Sequence, residues 1–63
     1  MSEPSLYAGA ALRRLRRREG LTQAAMAQRL SISPSYLNLI ERNQRPVTAR
    51  VVLQLVDEFD YDP

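Results

Sequence analysis

The chain is 63 residues long, with nine arginines, seven acidic residues and neither cysteine nor histidine. Without cysteine there are no disulfides or thiolate metal sites, and without histidine zinc loses its other main ligand and most nucleophile–base pairs lose their imidazole. A chain this short buries only about 60% of its unfolded surface, so one domain is the ceiling and a deep substrate cavity does not fit; neither an enzyme, a cofactor nor a metal is expected.

The first predicted helix runs through LYAGAALRRLRRRE, with Ser5 as its cap and Gly20 as its stop. Thr22 caps a second helix, QAAMAQRL, which fades at Ser31. Ser33 and Pro34 form the cap and first-turn pair of a third, which runs to Arg42. After the loop NQRPV, Thr48 caps a fourth, ARVVLQLVDEF. No strand-like alternation occurs, so the fold class is all-α. The closing Asp62-Pro63 is again a cap-and-first-turn pair, the start of a fifth helix, as expected of a piece cut from a longer protein.

Helical spacing assigns the core to Ala8, Ala11, Leu12 and Leu15, to Leu21, Met26, Ala27, Leu30 and Ile32, and to Val52, Leu55, Val56 and Phe59. Ala24 and Ala27 are small enough for close helix approach. Val51 and Leu53 fall beside this stripe and are expected to be partly exposed. In the third helix Leu37 and Ile40 point inward, flanked by Ser33 and Glu41. Ser35, Asn38, Leu39 and Arg42 then fall on an i, i+3, i+4, i+7 stripe on the opposite side, three of them able to hydrogen-bond and none acidic. A helix this short is not stable alone, so tertiary contacts must hold it while it presents that stripe.

Charge is unevenly spread. Residues 1–50 hold nine arginines against Glu3, Glu19 and Glu41, a net +6, whereas residues 51–63 carry four acids and no base, a net −4. A basic body suits a polyanionic partner. No apolar run approaches the roughly 18 residues of a membrane span, and the N-terminus lacks a signal peptide's apolar core, so a cytoplasmic protein is expected.

The spacing of Gln23, Ala27, Ser31, Ile32, Leu37 and Ile40, together with GLTQAAMAQRL, SPSYLNLIE and NQRP, resembles the helix-turn-helix of Cro-like phage repressors and XRE-type bacterial regulators. The likeness spans roughly residues 8–61, with the helix-turn-helix proper over 22–42. The wording SPSYLNLIERNQRP is most similar to the short-chain fatty acyl regulators, whose peptidase-like sensory region has no counterpart in these 63 residues. The resemblance implies a compact four-helix form of a five-helix repressor fold, a single DNA-binding domain over 1–63, and a homodimer on double-stranded DNA. One departure is Ser31, where the family usually has glycine; a left-handed backbone is predicted there despite the cost of about 1 kcal/mol to a side-chain-bearing residue.

With the third helix in the major groove, the stripe acquires roles. Asn38 can pair bidentately with adenine, Arg42 can reach guanine or a phosphate, and Ser35 can touch a base edge or the backbone. Leu39 suits a thymine methyl group; its alternative is to complete the core edge or meet a partner. Phosphate contacts are expected from Thr22, Gln23, Ser33, Tyr36, Gln44, Arg45 and Thr48, with Gln23 the family's usual backbone clamp and Arg45 a candidate for the minor groove. Tyr36 can instead pack against the loop. Arg14, Arg17 and Arg18 read equally as a solvated helix face. The family pairs Arg16 with Glu41 in a partly buried ion pair. Other readings stay open: a protein-interaction module of the same fold anchored by Tyr36 and Leu39, an antitoxin or phage-type repressor, or a basic helix on a membrane, which would have to free Leu12 and Leu15 from the core.

Overall fold

Helix ends expose four amides and four carbonyls that need partners, and here short polar side chains and three tight turns supply them. The computed structural model describes residues 8–59, which form four helices and no strand: α1 Gly9–Arg18, α2 Gln23–Leu30, α3 Pro34–Glu41 and α4 Ala49–Phe59. Thr22, Ser33 and Thr48 each accept a hydrogen bond through the side-chain oxygen from the amide three residues on, at 3.0, 3.1 and 3.3 Å. These caps begin α2, α3 and α4.

The helices α1, α2 and α3 end in the same double hydrogen bond. Gly20, Ser31 and Asn43 each take a left-handed conformation (φ 70°, 59° and 59°). Their amides bond Arg17, Gln28 and Ile40 carbonyls, and the next amides, of Leu21, Ile32 and Gln44, bond those of Arg16, Ala27 and Leu39. This is the Schellman closure, which favours glycine because a Cβ crowds the left-handed region. Ser31 adopts it regardless.

The start of α1 differs from the sequence expectation. The helix begins at Gly9, and Ala8 in the capping position makes no side-chain cap; Ser5, the expected cap, lies outside the described residues, as does the Asp62-Pro63 start of a fifth helix. Gly9 is instead anchored across the fold, its amide donating to Asn43 Oδ1 at 2.9 Å. A Cβ on Gly9 would stand 2.7 Å from the Ile40 carbonyl oxygen and closer still to that of Glu41. Glycine is required there because two backbones nearly touch.

The core comprises Leu12, Leu15, Met26, Ala27, Leu30, Leu37, Ile40, Val47, Val51 and Leu55. Around it lie Ala8, Leu21, Ile32, Tyr36, Val52 and Phe59. Two expectations for α4 are corrected. Val51 is buried, and Val56 is exposed, so the inward face is turned by about half a residue step relative to the predicted stripe. The reason is Val47: it lies before the helix, yet is buried, and extends a row Val47, Val51, Leu55 at spacing four along one side. Leu53 is exposed at 68%. Ala24 is exposed too, so only Ala27 of the two small residues serves close packing. Helix α2 packs against both α3 and α4, and α1 packs against α3.

Candidate nucleic-acid interface

Helix α3 is fixed from one side. Leu37 and Ile40 are fully buried, and Glu41 is 2% exposed, a charged residue in the core. Such a charge needs a partner. Arg16 supplies it with two parallel bonds, Nε to Oε2 at 2.8 Å and Nη2 to Oε1 at 3.1 Å. Its third nitrogen, Nη1, donates to the Leu21 carbonyl at 3.2 Å, so one guanidinium ties α1, the turn before α2 and the end of α3. Arg13, one turn earlier on the same side, donates to the Glu41 backbone carbonyl at 2.7 Å. That contact was missed in the sequence; its signal was the i, i+3 spacing from Arg16.

Burial pushes the Glu41 carboxyl upward, but hydrogen bonds from Arg16 and Gln23, with the charges of Arg16 and Arg13, outweigh it and hold the group below its ordinary value. The bond to Glu41 raises Arg16 above its already high value, against a smaller opposing effect of burial. Both groups are therefore ionised at neutral pH.

The opposite side of α3 faces out. Ser35 and Arg42 are exposed, and Asn38 and Leu39 are half-buried. Arg42 stands just past the last helical residue as its capping position, with φ −94° and ψ 7°, rather than inside the helix. Gln23, Pro34, Ser35, Asn38 and Leu39 line one shallow, open depression, which joins the N-terminus of α2 to the outward stripe of α3.

Gln23 departs from the picture of an outward-reaching clamp. Its Nε2 donates to Glu41 Oε1 at 3.0 Å, and its Oε1 accepts from Asn38 Nδ2 at 3.4 Å. The cause is the second oxygen of a buried carboxylate, which has room for a donor besides Arg16. Thr22, Ser33 and Thr48 use their oxygens as caps, which leaves each hydroxyl hydrogen free to donate to an acceptor in front of the helix. Tyr36 packs its ring against the core. Gln44 and Arg45 are exposed in the α3–α4 loop, and Thr48 is exposed at the start of α4. Arg14, Arg17 and Arg18 are exposed on the far side of α1 from Leu12, and Arg18 reaches Glu19 at 3.7 Å.

Two consecutive short helices joined by a left-handed turn, the second with a locked inner side and a polar outer one, define a helix-turn-helix unit. The comparison with protein families agrees: the family model described as a helix-turn-helix domain matches residues 8–63, and the chain belongs to that family. It is 58% identical over 57 residues to a propionyl-CoA carboxylase regulator of Cereibacter sphaeroides, which covers 90% of this chain and 12% of that protein. It is 52% identical over 54 residues to the HTH-type transcriptional regulator PrpR of Mycobacterium tuberculosis, covering 86% of this chain and 11% of that protein. It is 50% identical over 56 residues to the HTH-type transcriptional regulator RamB of the same species, with coverages of 89% and 12%. The chain thus spans about one eighth of the length of these curated relatives. No solved structure matches it.

Proposed function

We propose that the chain is the sequence-specific, double-stranded DNA-binding domain of a bacterial transcription regulator of the XRE type, with α3 entering the major groove. The carrying observation is the two-sidedness of α3: Leu37, Ile40 and Glu41 are locked inward while Ser35, Asn38, Leu39 and Arg42 share a non-acidic outer surface. A rigid helix with such a surface suits base edges, which present distinct donor and acceptor patterns in the major groove. Asn38 keeps its Oδ1 and one amide hydrogen for adenine, Arg42 reaches guanine or a phosphate, Ser35 contacts an edge or the backbone, and Leu39 meets a thymine methyl group. The amides and hydroxyls at the starts of α2, α3 and α4, with Tyr36, Gln44 and Arg45, take phosphates.

The names of the relatives, all regulators, support this reading at the level of class. The chain acts in the cytoplasm as the N-terminal part of a longer protein and binds as a homodimer on two half-sites about one helical turn apart. Selection from a random duplex library, followed by binding at two salt concentrations, tests it. A recovered consensus, and an affinity that falls steeply with salt as phosphate counterions are released, are expected. Equal affinity for all duplexes, or binding to a protein partner that is indifferent to salt, refutes it.

A further inference from the structure

The network behind α3 has a direction. Glu41 is buried and ionised, so its oxygens only accept. The side-chain amide of Gln23 must therefore turn its NH2 end toward Glu41, at 3.0 Å, and its oxygen away. That oxygen stands 3.4 Å from Asn38 Nδ2, so Asn38 in turn must present NH2 to Gln23 and aim its own oxygen elsewhere. An amide side chain otherwise has two orientations of nearly equal shape that exchange donor for acceptor. In this chain the choice passes from a carboxylate in the core to a surface residue through a single glutamine.

We propose that Gln23 is a positioning residue for base readout: it transmits the acceptor character of Glu41 to Asn38 and so fixes which end of the Asn38 amide faces the DNA. This rests on the DNA-binding reading above. Asn38 uses one amide hydrogen on Gln23; its other hydrogen and its oxygen remain for the N7 and N6 edge of adenine, in one orientation only. A free Asn38 would offer both orientations and lose part of the discrimination that a bidentate pair provides. The shared depression lined by Gln23, Ser35, Asn38 and Leu39 places this link at the surface where a base edge would lie.

The decisive substitution is Gln23→Lys. Lysine still donates to Glu41 and still carries a group for a phosphate, but it cannot accept from Asn38. Binding is measured on the site recovered from a random duplex library and on its single-base-pair variants. Asn38→Ala identifies the base pair that Asn38 reads. At that pair Gln23→Lys is expected to lower discrimination by about threefold to tenfold, a part of the value of a bidentate contact, with the other positions unchanged. Gln23→Met, which removes donor and acceptor while keeping length, is expected to do the same and serves if the lysine variant is unstable. In the free protein, either change should shift the side-chain amide resonances of Asn38 in a 15N-edited spectrum. Unchanged resonances, or a uniform loss of affinity across all duplexes with discrimination intact, overturn the relay and leave Gln23 a phosphate clamp. If a consensus is recovered but Asn38→Ala alters no position, Asn38 does not read a base and the relay falls with that assignment. A failure to recover any consensus refutes the DNA-binding reading itself.

Discussion

Two ion pairs of nearly equal length join helices of this domain, and they differ in almost everything else. Arg16 and Glu41 meet at 2.8 Å with side chains 16% and 2% exposed; Arg29 and Glu58 meet at 3.0 Å with side chains 48% and 37% exposed. The first sits where α1 meets α3, collects further hydrogen bonds from Arg13 and Gln23, and has Gly9 pressed against the same backbone. The second links α2 to the end of α4, where Arg29 also lies 5.0 Å from the centre of the Phe59 ring. Distance does not separate the two junctions. Burial does, because removing one member of a buried pair leaves an unsolvated charge, whereas water takes over at an exposed one.

The largest expected effect follows directly. Glu41→Ala should cost about 3–5 kcal/mol, a large part of the whole stability of about 3–9 kcal/mol of a domain this size. The thermal transition followed by circular dichroism should therefore fall further than for any other single change considered. Replacing Arg16 and Glu41 together by Met and Leu should cost less than the two single changes added. Additive losses in urea titrations would show the two groups to be uncoupled.

Next comes Gly9→Ala at the same junction. The added methyl group meets the carbonyls of Ile40 and Glu41, and overpacking of this kind costs about 1–3 kcal/mol. A melting temperature equal to the parent's would show that the two helices can move apart freely.

Acid should also act on the buried pair. The folded-state pKa of Glu41 is depressed, so the unfolded chain binds more protons in that range. Its stabilisation is complete above the unfolded value of about 4.3 and is lost as pH falls through the lower folded value. Thermal melts between pH 6 and roughly 3 should fall, and a Glu41→Gln variant should fall less steeply over the same window.

The exposed junction should barely respond. Glu58→Ala is expected to cost no more than about 1 kcal/mol and to lose even that in high salt. Smallest of all, Ser31→Gly should be neutral or stabilising by up to about 1 kcal/mol, because the left-handed turn is already in place and glycine relieves its crowding. A clear drop in melting temperature would mean that the Ser31 side chain contributes a contact.

Much of the buried junction was legible in the sequence, though by two routes. The caps Thr22, Ser33 and Thr48 and the inward pair Leu37 and Ile40 follow from local chemistry and helical spacing. The Arg16–Glu41 pairing came from family likeness alone, since 25 residues separate the two and nothing local joins them. Asn43 carries a local signal of its own, since asparagine is the residue that most often replaces glycine in a left-handed turn. The phosphate role of Gln23 rests on family likeness, and its bonds to Glu41 and Asn38 have no local signal because 18 and 15 residues separate the partners.

What the sequence determined by itself is the list of helices α2 to α4, the caps that begin them, and the two-sidedness of α3, because each depends on residues within a turn or two of one another. Only the tertiary structure decided where α1 begins, that α4 turns Val51 rather than Val56 into the core, and that Gln23 bridges Glu41 and Asn38. Those features depend on which surfaces meet across the fold, and a periodicity of 100° per residue leaves several neighbouring directions equally open until a partner helix selects one.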